Sequence, residues 1–365
     1  MNRQPQPHTQ RRHRPQARGA NRSHNPTPNA DAISKHAVRT CGGENERVLD
    51  DVIGWLACPH CDGGLRRDGG SLRCANGHAF DVARQGYVSL LRPGASAPRA
   101  DTAAMVAARA EFLAAGHFGS LAEEVAAMLA EGVAAEAESE SVPEAASVGG
   151  FASVAVPGCV ADIGAGTGYY LAAVLGRLPG RSGLALDASK FALRRAAQAH
   201  PRVGAVACDV WRRLPVADHA AVAALSVFAP RNGAELHRIL HPRGRLLVVT
   251  PMPEHLGELI EPLGMLTVGP DKDERLAGKL NAHFVAAARR EHVATLSLGH
   301  KALGWMVAMG PSAWHVDPAA TAARIGALPD PMRVTLAVTI SLYRIRGPAD
   351  EPPGPGYAGC VNRST

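Results

Sequence analysis

The run Asp162-Ile163-Gly164-Ala165-Gly166-Thr167-Gly168 stands between a strand-like stretch, CVADIG, and a helical stretch over Tyr169 to Leu178. Alternating glycines let a backbone turn sharply and approach a ligand where a Cβ would clash. The run therefore sets a strand, a tight loop and a helix in that order. The pattern then repeats as GLALD, a helix from Lys190 to Ala199, AVACD, AALSVFA, a helix after Arg231, and RLLVVT. Such alternation predicts an α/β chain on a parallel, doubly wound sheet. The late segment VTLAVTISLYRI has β character and is expected to supply an antiparallel strand at the end of that sheet.

Acidic residues stand where a sheet of this kind binds its ligand. Asp187 ends the second strand, where a carboxylate can take both hydroxyls of a ribose, and Asp209 ends the third. Nicotinamide dinucleotides expect the longer G-x-G-x-x-G turn, which holds a pyrophosphate on a helix N-terminus. Here the loop reads D-x-G-x-G-x-G. Asp162 before the glycines suits a ligand with an amino group and a sulfonium, as S-adenosylmethionine has. Asp209 has a second reading, as the cap of the following helix.

Upstream, Cys58-x2-Cys61, twelve residues, then Cys74-x3-His78 offers three thiolates and one imidazole. That is a tetrahedral set for zinc, and four protein ligands leave no open position for a reacting water, so the ion is read as structural. A redox-active C-x-x-C is the competing interpretation, which the second pair of ligands opposes. His60 is a rival ligand inside the first knuckle. The seven cysteines are odd in number and favour metal binding in a reducing compartment over a disulfide framework. Cys159 and Cys208 lie on strands and read as core residues.

Around these motifs the chain divides by composition. Residues 1–47 carry nine Lys or Arg against three Asp or Glu, which accounts for the whole formal net charge of +6. With little apolar content they are expected to be a disordered basic tail. Residues 48–100 are expected to form a zinc-ribbon module, to which the resemblance given below assigns RNA recognition, 101–130 connecting helices broken near Gly116, and 131–157 a flexible acidic insertion. Residues 158–346 make the large α/β domain, and 347–365 a flexible C-terminal tail. No apolar run of membrane-spanning length and no apolar leader occur, so a cytoplasmic protein without membrane partners is expected.

These residues together resemble the family of 23S rRNA guanine-N1-methyltransferases, which includes the tylosin- and mycinamicin-resistance enzymes of macrolide-producing actinobacteria. The resemblance spans about residues 55 to 345 and rests on CPHC and CANGH, FDVARQGYVSLL, DTAAMVAARAEFLAAGHF, ADIGAGTGYY, LALDASKFALRRAA and SVFAPRNGAELHRIL. It implies a class I, Rossmann-like methyltransferase sheet behind a small N-terminal zinc ribbon. It also implies a homodimer that grips a 23S rRNA hairpin and methylates N1 of a guanine, at a site of the guanine 748 type, lowering macrolide affinity for the ribosome. By motif match, Asp162, Gly164, Gly166 and Gly168, with Thr167 and Tyr169 beside them, would hold the methionine part of S-adenosylmethionine, Asp187 the ribose and Asp209 the adenine region. Phe228, Ala229 and Pro230 would form the wall beside the methyl group, and Cys58, Cys61, Cys74 and His78 would hold one zinc ion. The tail and the acidic insertion have no counterpart in the compact core of the family.

The resemblance names no catalytic side chain. Guanine N1 carries a proton that must leave, and His255, His300 and Asp209 are candidate bases. Trp305, Trp314 and Tyr87 are candidates for stacking on bases, or core residues. Arg66 and Arg67 belong to an excess of six Arg over three Asp between Trp55 and Ala100 that suits phosphates. The main alternative is a small-molecule O-methyltransferase of macrolide biosynthesis, which would not require a zinc ribbon. A third class is an RNA-binding protein with an inactive methyltransferase fold, which the intact glycine loop and Asp187 oppose.

Overall fold

In a computed structural model, the described residues are 44–92, 100–138, 157–265, 280–315, 317–347 and 350, all within the unit 40–365. Helix α1 (Glu44–Ile53) leads into a three-stranded antiparallel sheet of β1 (Leu65–Asp68), β2 (Ser71–Cys74) and β3 (Ala79–Asp81), and then into β4 (Tyr87–Ser89). Helices α2 (Ala103–Ala114) and α3 (Gly119–Glu138) follow, parted at Gly116, whose φ of +79° no α-helix permits. Strand and helix then alternate: β5 (Cys159–Ile163), α4 (Tyr169–Arg177), β6 (Gly183–Asp187), α5 (Lys190–Ala199) and β7 (Val203–Ala207). After β8 (Ala221–Val227) come α6 (Gly233–Ile239), β9 (Leu240–Pro251), α7 (Gly257–Leu263), β10 (Phe284–Leu298), α8 (His300–Met309), α9 (Pro318–Gly326) and β11 (Met332–Ile345).

The large sheet runs β10-β11-β9-β8-β5-β6-β7-β4. From β4 to β9 every neighbouring pair is parallel, and β11 is antiparallel to both β9 and β10. Strand order reverses between β5 and β8, so a crevice opens there at the carboxyl ends of the strands. Residues β5, β7 and β8 are buried throughout, because a strand covered on both faces can be continuously apolar. Val160 packs with Phe112, Leu121 and Leu129 of α2 and α3 on one side, while Cys159 and Ala161 pack with Leu49, Leu56 and Leu72 on the other.

Several boundaries differ from the sequence reading. Residues 44–47, placed in the tail, begin α1, while 1–43 lie outside the described residues. Within segment 48–100, β4 joins the large sheet and α1 packs against it, while β1–β3 keep a sheet of their own. Tyr87, Val88 and Ser89 pair with Ala205, Val206 and Ala207, and Val52 of α1 lies against β7 where Gly204 has no side chain. Helix α3 runs through Glu138, and its Glu136 pairs with Arg245 of β9, so the acidic insertion begins later than 131; residues 139–156 lie outside the described residues. The C-terminal tail is anchored at Asp350, which accepts from both Arg344 Nη atoms at 2.5 and 2.6 Å; 351–365 are not described. β11 is antiparallel as expected but lies one place inside the edge, since β10 covers it. Six consecutive exposed residues, Ala286 to Glu291, explain why β10 shows no apolar alternation in sequence. No helix among the described residues is long and apolar enough to cross a membrane.

A Cβ at Gly204 would overlap the Val52 side chain. Gly204→Ala is expected to destabilise the protein by about 1–3 kcal/mol through overpacking, read as a lower midpoint in thermal melting. Combining it with Val52→Ala should return part of that loss, whereas strict additivity would show that the two residues do not meet.

Candidate metal centre and methyl-transfer site

Tight turns at Cys58–Asp62 and Cys74–His78 close the small sheet. Asp62 N–H donates to the Cys58 carbonyl at 2.8 Å, and Gly77 N–H to the Cys74 carbonyl at 3.1 Å, with Gly77 at φ +85°. The three Sγ atoms and the His78 ring nitrogen thereby lie within 4.8 Å of one another. Cys58 Sγ stands 3.5 Å and Cys74 Sγ 3.3 Å from His78 Nδ1, and Cys61 Sγ 3.7 Å from Cys74 Sγ. Ligands about 2.3 Å from a tetrahedral ion are separated by about 3.8 Å, so the set fits one zinc ion closed on all sides. The backbone N–H of Gly63 aids ionisation of Cys61, whose pKa is lowered to about 6. His60 is not in this set. Its ring lies 4.8 Å from that of His78 and stacks on Phe80 at 5.9 Å, covering the ligand.

At the crevice, Gly164, Gly166 and Gly168 all adopt left-handed φ, +72°, +54° and +76°. Each also faces a close neighbour. A Cβ on Gly164 would stand 2.7 Å from Ala229 Cβ, one on Gly166 3.3 Å from Arg109 Nη1, and one on Gly168 3.0 Å from Ala196 Cα. Gly166 N–H donates to Asp187 Oδ2 at 2.8 Å, and Ser189 N–H to Oδ1 at 2.8 Å. Asp162 is buried at the carboxyl end of β5, and burial, then the charge of Asp187, pushes its pKa up to about 8. Burial also raises Asp187. Two crowded carboxyls of this kind favour a cationic ligand. Thr167 closes the loop, and Tyr169 opens α4 with its ring edge-on to Tyr170 at 5.3 Å.

The wall residues follow β8. Phe228 takes a left-handed φ of +52° and is 41% exposed, its ring 6.5 Å from Phe118 and stacked on His255 at 5.7 Å. The candidate bases are otherwise engaged. His255 Nδ1 accepts from Ala337 N–H at 3.3 Å, and burial lowers its pKa to about 4. The neutral ring then carries its proton on Nε2 and can only donate there. His300 Nε2 lies 2.9 Å from the Leu328 carbonyl, at the far end of α8 from Met309. Met309 O accepts from Arg109, which faces the glycine loop, and His300 lies at the other end of α8, about 14 Å along the helix from Met309. Asp209 accepts from Trp211 N–H at 3.0 Å and pairs with Arg212 at 3.2 Å, which makes it the brace of a turn. Tyr87 and Trp305 pack against the core, whereas Trp314 is exposed. Arg66 faces solvent, but Arg67 on the opposite face of β1 is half-buried and pairs with Asp50 at 3.8 Å.

The sequence profile of the zinc-ribbon family described as RlmA, N-terminal, matches residues 56–93. Over 294 residues the chain is 49% identical to the 23S rRNA (guanine(748)-N(1))-methyltransferase of Streptomyces fradiae, covering 80% of this chain and 98% of that one. A protein of Micromonospora griseorubida described as a 23S rRNA (guanine-N(1)-)-methyltransferase is 50% identical over 298 residues, 80% of this chain and 98% of its own. This chain belongs to the 23S rRNA (guanine-N1)-methyltransferases. A relative from Bacillus subtilis, YxjB, with the same described activity, is 29% identical over 74% of this chain and 89% of its own.

In this methyltransferase two further residues shape the crevice without having been assigned a role by sequence motif. Arg109 donates to Asp101 Oδ2 at 2.5 Å and to the Met309 carbonyl at 2.7 Å, which aims its guanidinium at Gly166. Phe118 is buried beside the exposed Phe228. Both Arg109 and Phe118 lie within ARAEFLAAGHF, whose fixed spacing was the available sign. The expected metal content of purified protein is one zinc per chain by elemental analysis. Cys61→Ser should lose the ion and, because Cys58, Leu72 and Cys74 share a core with Leu184 and Val206, lower the melting midpoint of the whole unit. A melt identical to the parent's would contradict that shared core.

Proposed function

We propose that this enzyme transfers the methyl group of S-adenosylmethionine to N1 of a guanine in a 23S rRNA hairpin, at a site of the guanine 748 type, and so confers resistance to macrolides of the tylosin and mycinamicin class. The observation that carries this reading is the 49% identity to the Streptomyces fradiae enzyme across 98% of its length. The homodimer and the cytoplasmic location belong to the same reading and rest on the family resemblance. The zinc ribbon, with Arg66 at its surface, serves as the RNA-recognition element, and the α/β sheet carries the chemistry.

When bound, S-adenosylmethionine supplies a methyl group on a positively charged sulfur. The chain's own part is to bind, orient and exclude water. Asp162 and Asp187 meet the cationic amino acid portion and the ribose, and Gly164, Gly166 and Gly168 bring the backbone close, with Thr167 and Tyr169 at the helix start. Arg109 neutralises part of the acidic surroundings and faces the loop. Phe228, Ala229 and Pro230 form an apolar wall beside the acceptor. Asp209 reaches the adenine side only through the turn it braces. Displacement at a sulfonium is in-line, so catalysis comes largely from holding the acceptor nitrogen close and aligned. N1 lies on the pairing edge, and the guanine must therefore leave its pair or stack before reaction.

Four outcomes test this reading. Primer extension on rRNA from cells with the gene should stop at one guanine of the hairpin and read through without it; read-through in both, with methylation of a macrolide precursor instead, would favour the O-methyltransferase. Asp187→Ala removes two charge-assisted hydrogen bonds, each worth about 1.5–3 kcal/mol, and should weaken S-adenosylmethionine binding at least about tenfold. Gly166→Val, which adds backbone strain and a contact with Arg109, should abolish it by calorimetry. In the free protein Asp162 holds its proton below pH about 8. A cation beside it favours the carboxylate, so binding below that pH should release a proton and affinity should rise as pH approaches it. Titrations in buffers of different ionisation enthalpy should show this release, and Asp162→Asn should remove it.

A further inference from the structure

The turn after β7 carries an indole that neither the crevice nor the core uses. Trp211 is 59% exposed, yet the backbone around it is held on all sides. Its N–H donates to Asp209 Oδ1 at 3.0 Å, and its carbonyl accepts from Asn232 Nδ2 at 3.3 Å. Arg212 N–H donates to the Asp209 carbonyl at 3.1 Å, and Leu214 N–H to Glu235 Oε2 at 2.7 Å. The flanking Val210 and Leu214 are buried. Single exposed apolar residues are common on protein surfaces and need no partner. Here, however, a rigid backbone presents a large aromatic ring to water, next to an Arg212 side chain that is 71% exposed.

The position adds a second argument. Arg213 reaches from this turn to Asp62 of the first zinc knuckle at 2.8 Å, and Asn232 continues the wall segment Phe228–Pro230. Trp211 thus stands between the metal centre and the acceptor side of the crevice, at the carboxyl edge of the sheet.

We infer that Trp211 is a stacking platform for an unpaired base of the RNA substrate, with Arg212 beside it for the adjoining phosphate. The inference rests on the RNA-methylating function above. A guanine drawn out to expose N1 leaves its neighbours without full stacking, and an indole held ready in place offers one of them a new face at small entropic cost. Every base has such a face, so the platform supplies affinity and register, while identity is read at the acceptor pocket.

The test uses the full-length, zinc-loaded protein and a hairpin copied from the rRNA loop. Trp211→Ala should weaken hairpin binding by on the order of tenfold and raise KM for RNA with little change in kcat. Trp211→Phe should retain part of the affinity, and calorimetry should give an S-adenosylmethionine Kd equal to the parent's in both variants. A 2-aminopurine placed beside the target guanine should be quenched by the parent protein and not by Trp211→Ala. Unchanged hairpin affinity in Trp211→Ala, with methylation intact, would overturn the platform and leave the function standing. Weaker S-adenosylmethionine binding with unchanged hairpin affinity would place the ring over the cofactor and also overturn it. If the parent protein methylated no RNA guanine, the function itself would fall and the inference with it.

Discussion

The carboxylate of Asp187 accepts from the N–H groups of Gly166 and Ser189, both at 2.8 Å, and so ties the loop after β5 to the start of α5. Ser189 Oγ passes the connection on by donating to the Asp101 carbonyl at 2.7 Å, and the Asp101 side chain holds Arg109. Arg109 in turn donates to the end of α8 at Met309. One continuous polar network therefore joins the sheet, α2 and α8 around the place where strand order reverses. Its energetics are those of a buried charge: desolvation raises the Asp187 pKa, and the two backbone hydrogen bonds act against that rise. Loss of a partner would leave buried polar groups unsatisfied, which costs more than a surface bond returns.

The left-handed glycines are read differently once the network is seen. Their lack of side chains serves the protein's own packing as much as any ligand, since Ala229 would overlap a Cβ on Gly164, and Arg109 and Ala196 crowd those on Gly166 and Gly168. Gly164 joins the loop to the wall segment, Gly166 admits the Arg109 head, and Gly168 lets α4 approach α5. The crevice is thus assembled from three separate stretches of chain that a single motif cannot describe.

At its β4 edge the large sheet is joined to the zinc ribbon, whose own three strands pack against it. Leu56 pairs with Val216, Ala57 N–H donates to the Pro215 carbonyl, and β4 completes the sheet beside β7. A closed tetrahedral set holds the knuckles, while Leu65, Leu72 and Val88 share the core of β5, β6 and β7. The ribbon is consequently held in fixed relation to the strand ends of the large sheet, an arrangement suited to a reaction whose rate depends on alignment.

The glycine loop, the placement of Asp162 and Asp187 at strand ends and the gathering of Cys58, Cys61, Cys74 and His78 were legible in the sequence because they follow from particular residue types at short, local spacing. The alternation of buried strands and helices was legible for a similar reason, and α5 over Lys190–Ala199 follows directly from it. β10 was not, because its exposed Ala and Arg residues owe their strand form to pairing with β11, far along the chain. The fates of His255 and His300 were likewise undecided until folding brought Ala337 and Leu328 to them, whereas Asp209 is engaged locally, by the N–H two residues on. Local residue chemistry thus determined which ligands this chain can hold. Only tertiary structure decided which side chains remain available to a substrate, because a hydrogen bond made to a distant backbone consumes the same lone pair or proton that catalysis or recognition would use.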